Sequence, residues 1–381
     1  MKRILAGVII NTIATLFAVA QSPTPEASGK TEVSVAKEID GYLNSLVAED
    51  KLSGAVLVAR NGVAVASKVA GIANKATGAP ITLKTKFNLG SMNKMFTAVA
   101  IAQLAQAKRL SFDDLIGKHL PDYPNKEVAE KVTIHQLLTH TSGMGMYWNE
   151  KFMAQREKLL TVAAHLPLFA SDPLLFPPGE KFQYSNSGYM VLGAIIEKVS
   201  GQDYYSYVQE HIYKPAGMAD TGFYEPGREI ANLAIGYSKM SPDGKPLEEP
   251  QANTNTREVR GGPAGGGYST VEDLVKFHMA LRSYKLLNEE YTKLVATGKV
   301  ESPRGGRYGY GFSDETFVGK RTVGHNGGAP GIAANFEMYP ESGYTVVLLM
   351  NSDPRAMMPI AEGIRERIPG KQPSRKQSAG P

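Results

Sequence analysis

Val35, Ile39, Leu43 and Leu46 recur three or four residues apart. That spacing lines up on one face of a helix and predicts an amphipathic helix over Thr31–Asp50. The stretch "GAVLVARNGVAVASKVAG" (Gly54–Gly71) reads as two strands. Asn61-Gly62 between them is a strong hairpin signal, because a tight type I′ turn needs two residues that tolerate positive φ. Near the other end, "KRTVGHNGG" and "ANFEMYPESGYTVVLLMN" predict three more strands, the last pair joined by "PESG". "RAMMPIAEGIRERI" predicts a closing helix.

The middle of the chain has a different texture. From Ser91 to about Lys285, helical patterns and long loops dominate, as in "VTIHQLLTH", "YMVLGAIIEKVSG" and "STVEDLVKFHMALRS". The economical architecture is an α+β fold: an antiparallel sheet built from both chain ends, flanked by the terminal helices, with a mostly helical domain inserted. Its expected parts are residues 31–90 and 300–368 for the sheet domain and 91–299 for the insertion. A cleft at their junction is the expected place for a site.

The chain has 381 residues, 42% hydrophobic and 21% charged, with a formal net charge of +5. That suits a globular protein with a sizeable core. No dense basic stripe with interleaved aromatics occurs, which argues against nucleic acid as a partner. Cysteine is absent, so disulfides, thiol nucleophiles and cysteine-based zinc sites are excluded. Lys2 and Arg3 precede a mostly apolar run from Ile4 to Ala20, which ends in "AVA" before Gln21. This reads as a signal peptide over residues 1–20. A flexible leader follows over 21–30, and a disordered tail is expected over 369–381. The expectation is an exported protein, periplasmic or secreted, without stable membrane insertion once the leader is cleaved.

"NLGSMNKMFTAVAIAQLAQAKRL" (Asn88–Leu110) holds the first sign of chemistry. Its helix is apolar nearly all round, yet its first turn carries Ser91 and Lys94. Residues three apart share a helix face, so the hydroxyl and the amine project together. The helix start adds free N–H groups and a positive dipole end, which favour a developing oxyanion. A lysine in apolar surroundings loses its proton readily and becomes a base for the hydroxyl. Alone, S-x-x-K is a common pattern, and a plain helix cap beside a solvated lysine explains it equally well.

Two further stretches add to it. In "YSNSGY", Tyr184 and Asn186 alternate in what reads as an extended segment, so that a phenol and an amide point one way. "GHNGG" (His325, Asn326, Gly327, Gly328) lies on a predicted strand where glycines permit close backbone approach. His135 and His140 lack metal-ligand spacing, no H-E-x-x-H occurs, and both read as structural. No G-x-S-x-G elbow is present. The glycine cluster Gly261–Gly267 lacks the P-loop lysine and reads as a loop beside the cleft. Tyr147 and Trp148 are open to either a pocket-lining or a packing role.

S-x-x-K, then Y-x-N, then H-x-G, in that order, resembles the three-part signature of the penicillin-recognising serine hydrolases. "VTIHQLLTHTSGM", "PAGMADTGFY", "GGYSTVEDLVKF" and "YGYGF" also look like that family, and the resemblance covers roughly residues 35–365. It is nearest to the branch of class C β-lactamases, D-alanyl-D-alanine carboxypeptidases and β-lactamase-like esterases. The resemblance implies a β-lactamase/transpeptidase-like fold and a Ser91 acyl-enzyme. It implies proton transfer by Lys94 and Tyr184, substrate binding by Asn186, His325 and Asn326, and an oxyanion hole from the N–H groups of Ser91 and Gly328. It implies a small-molecule or peptide substrate with an amide or ester bond, and neither metal nor organic cofactor. His325 and Asn326 depart from the lysine and hydroxyl residue common in relatives, which weakens the case for efficient lactam hydrolysis. No E-x-x-L-N motif is present. A D-alanyl peptidase or carboxylesterase is thus favoured over a dedicated β-lactamase. The alternative is a slow-turnover penicillin-binding sensor or a non-catalytic binding protein.

Overall fold

A computed structural model describes residues 32–370 except 226, 242–243 and 256. The expected signal peptide and leader, and residues 371–381 of the expected tail, lie outside the described residues. Helix α1 (Glu32–Ala48) buries Val35, Ile39, Leu43 and Leu46, the stripe read from the sequence. Strands β1 (Gly54–Arg60) and β2 (Val63–Ala70) form the first hairpin. Its turn residues Asn61 and Gly62 both have positive φ, 49° and 83°. Helices α2 (Asn93–Gln106), α3 (Asn186–Ser200) and α4 (Val271–Arg282) belong to the middle of the chain. Six strands follow: β3 (Val300–Glu301), β4 (Arg307–Tyr308), β5 (Ser313–Phe317), β6 (Lys320–Ala329), β7 (Ile332–Met338) and β8 (Tyr344–Met350). Helix α5 (Pro354–Arg367) closes the fold.

The main sheet is antiparallel, in the order β2-β1-β8-β7-β6-β5-β4-β3. The first and last long strands meet in register, Gly54 opposite Met350 and Arg60 opposite Tyr344. Strand alternation gives each face its own core. One face packs α1 and α5 through Val56, Val58, Val346, Leu348, Ile360 and Ile364. The other packs the middle of the chain through Leu57, Val323, Phe336 and Val347. Phe277 of α4 contacts Phe336 there, with ring centroids 6.1 Å apart.

The sequence pattern predicted five strands of this sheet; β3, β4 and β5 are additional. Two of these span only two residues and carry little apolar alternation. The middle region also holds strands the pattern did not show. A mostly exposed hairpin pairs Tyr237–Met240 with Pro246–Ala252. Phe87–Asn88 pairs with Tyr268–Ser269 just ahead of the Ser91 turn. Among the described residues, no helix is long and apolar enough to cross a membrane.

Candidate active site

Ser91 sits in a short 3-10 turn, Gly90–Met92, that runs straight into α2. Helix α2 is buried on every side, as its composition requires. The turn is tied to the glycine loop by four hydrogen bonds. Leu89 N donates to Gly267 O (2.8 Å), Gly266 N to Gly90 O (3.2 Å), Gly267 N to Asn93 Oδ1 (2.9 Å) and Lys94 Nζ to Ala264 O (2.6 Å). The expectation that Gly261–Gly267 packs beside the cleft therefore matches its place, and Ala264 adds a direct lysine partner. Only neutral oxygens surround the amine. Lys94 Nζ donates to Asn186 Oδ1 at 2.7 Å and reaches Ser91 Oγ at 3.4 Å. The rings of Tyr184 and Tyr189 lie 4.7 and 5.2 Å from it.

With no carboxylate in contact, burial dominates. It lowers the Lys94 pKa from 10.5 to about 7, against a smaller upward pull from Glu258. That shift corresponds to about 5 kcal/mol of differential interaction against the ammonium form, relative to a lysine in water. Tyr184 moves the other way. Burial pushes its phenol well above its ordinary 10, although a hydrogen bond to Ser91 counteracts part of this. The amine is thus ready to accept a proton near neutrality, and the phenol holds its own.

Asn186 is not in an extended segment. It opens α3, and Ser185 is the helix cap, accepting from Gly188 N at 3.0 Å. Tyr184 and Asn186 still meet at Lys94, because the cap turns the chain between them. His140 supports the phenol from behind. Its ring lies tilted against Tyr184 with centroids 4.2 Å apart, and its Nδ1 accepts from Ser185 N at 3.1 Å. His135, the other histidine of that segment, bonds Tyr310 at 2.8 Å.

Strand β6 presses against the Ser91 turn at its glycines. A Cβ on Gly327 would collide with the Leu89 carbonyl and stand 3.0 Å from Ser91 N. A Cβ on Gly90 would stand 3.0 Å from Gly328 N, and Gly90 has φ +49°. Only glycines let the two backbones touch here. This contact brings the backbone of Gly327 and Gly328 against the Ser91 turn.

His325 and Asn326 do not take the expected substrate-binding places. Tyr308 OH lies 2.9 Å from His325 Nε2, and His325 Nδ1 is bonded to the Asn326 carbonyl. A carbonyl only accepts, so Nδ1 carries the proton and Nε2 receives the phenol's. Both nitrogens are used within the protein, and the ring is 5% exposed. Burial and the Lys94 charge lower its pKa to about 3, so it offers a ligand neither a charge nor a free donor. Asn326 pairs across the strands with Asn335, whose amide bonds Glu337 on the α5 side of the sheet. Paired residues share a face, so Asn326 points away from Ser91.

Glu258 is the group that sequence reasoning missed. Its carboxylate receives a hydrogen bond from Tyr147 OH and another from Trp148. Burial raises its pKa to about 7. Tyr147, 111 residues away in sequence, is buried among Phe152, His165 and Phe169. Trp148 is 46% exposed and stacks on Phe152. Nothing local to "TREVRGG" marks Glu258. Among the described residues, no group of three or more His, Cys, Asp or Glu is placed to hold a metal ion.

A family model described as Beta-lactamase matches residues 39–367. The chain belongs to the Beta-lactamase family. Esterase EstB of Burkholderia gladioli is a relative, 30% identical over 292 residues that cover 69% of this chain and 74% of the esterase. The crystal structure of a penicillin binding protein from Bacillus halodurans superposes with a TM-score of 0.76 at 34% identity, covering 85% of this chain and 99% of that one. D-amino acid amidase from Ochrobactrum anthropi SV3 shares the fold, with a TM-score of 0.74 at 22% identity over 87% of this chain and 98% of that one. Penicillin-binding and esterase relatives thus share the family, and the amidase shares the fold.

Proposed function

We propose that the protein is a serine hydrolase that cleaves an amide or ester through an acyl-enzyme on Ser91, with D-alanyl peptides or carboxylic esters ahead of β-lactams as substrates. The observation that carries this reading is the Lys94 amine, fully buried among neutral acceptors and 3.4 Å from Ser91 Oγ. Lys94 takes the Ser91 proton as Oγ bonds to the substrate carbonyl carbon. The negative charge on the carbonyl oxygen is received by the amides of Ser91 and Gly328. The proton passes to the leaving nitrogen or oxygen, with the Tyr184 phenol as the relay, and the scissile bond breaks. Water then releases the acyl group by the same steps in reverse. Asn186 fixes the amine and faces the same crevice.

The preference against β-lactams rests on His325 and Asn326. Neither presents a cation or hydroxyl to a substrate carboxylate, a group that β-lactams and D-alanyl peptides both carry and simple esters lack, so this departure favours esters most. EstB, an esterase by name, supports the ester reading. Export to the periplasm or beyond rests on the Lys2–Ala20 pattern, and the mass of the protein recovered from its host tests it against a start at Gln21.

The test of the catalytic reading is incubation with a p-nitrophenyl ester, a D-alanyl-D-alanine peptide, a chromogenic cephalosporin and a fluorescent penicillin. Product and adduct mass are followed together. Turnover of the ester or peptide, with slower cephalosporin cleavage, is the expected result. A long-lived penicillin adduct on Ser91 without turnover of any substrate would identify a sensor instead. Folded protein giving neither adduct nor product would end the reading.

A further inference from the structure

Lys94 has one charged neighbour whose role the reaction leaves unassigned. Ala264, the carbonyl partner of Lys94, belongs to a tight loop in which Gly262 and Gly265 exchange two backbone hydrogen bonds of 2.7 and 3.1 Å. Glu258 backs onto that loop: a Cβ on Gly266 would stand 2.8 Å from Glu258 Oε2. The carboxylate is suspended from the other side by Tyr147 and Trp148. It is thereby held near the amine without touching it, since the lysine's own bonds go to Asn186 and Ala264.

We propose that Glu258 is a positioning residue for Lys94: a carboxyl hung from Tyr147 and Trp148 behind the Ala264 loop, which holds a proton on the amine to the extent that it is itself ionised. An anion at this range favours the ammonium form and opposes the desolvation that would strip the proton. The separation matters. A carboxylate in direct contact would lock the amine as an ion pair, and none at all would leave burial unopposed, so that the amine lost its proton at lower pH. The mutual effects agree in sign. Glu258 raises the proton affinity of Lys94 and Lys94 lowers that of Glu258, both near 7. Two such groups lose their protons in shared steps. The other titratable groups facing the amine are Tyr184 and Tyr189, His140, whose own proton affinity the Lys94 charge lowers, and His325 on β6. Arg304 acts on Tyr184 and His325. The phenols stay protonated and the imidazoles neutral at pH 7. Glu258 is the group among them that brings an anion.

The experiment is a direct titration of Lys94 by NMR of protein labelled at lysine Cε, with the resonance assigned by its loss in Lys94→Arg. The pH dependence of acylation by a fluorescent penicillin is measured in parallel. Glu258→Gln, which keeps the shape and removes the charge, lowers the Lys94 midpoint by about one pH unit. It moves the acid limb of the acylation rate the same way. Glu258→Asp keeps the midpoint within a few tenths. Tyr147→Phe removes a donor from the carboxylate, makes it harder to ionise, and moves the midpoint down by less than Glu258→Gln. A midpoint unchanged or raised in Glu258→Gln overturns the proposal. If circular dichroism shows that variant unfolded, an unmoved midpoint in Tyr147→Phe does so. The kinetic arm rests on the acyl-enzyme reading, but the titration needs no turnover. A lowered midpoint in a protein that never acylates supports Glu258 and removes the hydrolase, whereas acylation with an unmoved midpoint does the reverse.

Discussion

Lys94 and Arg365 are both withdrawn from water, on opposite faces of the same sheet. Arg365 on α5 is fully partnered. Its Nη2 lies 2.6 Å and its Nε 2.7 Å from Glu337 Oε1. Glu337 also accepts from Asn335 Nδ2 at 2.8 Å and from Tyr339 OH at 2.7 Å. Every charge there is met by an opposite charge or a strong donor, and such a network holds one geometry. Lys94 is given carbonyl oxygens and ring faces instead. Its ammonium form is under-compensated, and the shortfall appears as a proton that leaves near neutrality. The first arrangement fixes α5 to the sheet; the second leaves an amine able to take up a proton within 3.4 Å of Ser91 Oγ.

This contrast can be broken at several points. Ser91→Ala should remove acylation altogether, a loss of at least about 1,000-fold in rate, with melting temperature unchanged; adduct mass and calorimetry check both. Lys94→Met should cost about 100- to 1,000-fold in acylation, the range for a lost general base, and should abolish the acid limb of the pH profile. Wild type should show that limb rising through about pH 7, because activity needs the amine deprotonated. Gly327→Ala should push β6 off the Ser91 turn and cost about 100-fold through the oxyanion hole, measured as acylation rate in protein of normal fold. On the other face, Glu337→Gln strands Arg365 and should lower stability by about 3 kcal/mol in denaturant titration. Its acylation rate below the transition should stay at the wild-type value. If that substitution slows acylation as much as Gly327→Ala, the two faces are not independent.

The smallest effect is in acid. Burial lowers His278 to about 4 and His325 to about 3, from 6.5. The unfolded chain binds these protons first, so the stability from neutral burial is complete above about pH 6.5. It is lost as pH falls toward 4, at about 1 kcal/mol per pH unit for each histidine. Denaturation between pH 6.5 and 5.5 should show this slope, and His278→Gln should reduce it.

Much of the scaffold was legible because it depends on period. The α1 stripe, the Asn61-Gly62 hairpin and the largely apolar α2 each announce themselves within one short window. Strands β3 and β4 do not, since two residues cannot display an alternation. The start of α3 reads as extended in the sequence, whereas Asn186 opens a helix. Ser185 followed by Gly188 carries a capping signal, but "YSNSG" is equally a loop by composition. At the site, Ser91, Lys94, Tyr184 and Asn186 were legible as motif members and do converge. His325 and Asn326 were not, because their roles turn on strand facing and on Tyr308, which is 17 positions away from His325. Glu258 depends on Tyr147 across 111 positions, and no local pattern encodes such a pair.

The pairing of β1 with β8 bears on the order in which the protein is made. A ribosome delivers Ser91 and Lys94 early and the strand carrying Gly328 more than two hundred residues later. Until β6 to β8 emerge and dock beside β1, the hydroxyl and the amine have no second amide opposite them and no finished sheet beneath. On the proposed mechanism, reactivity toward carbonyls is therefore withheld from the growing chain, and a product cut short before residue 320 would carry Ser91 and Lys94 and lack the strand that brings Gly328 to them.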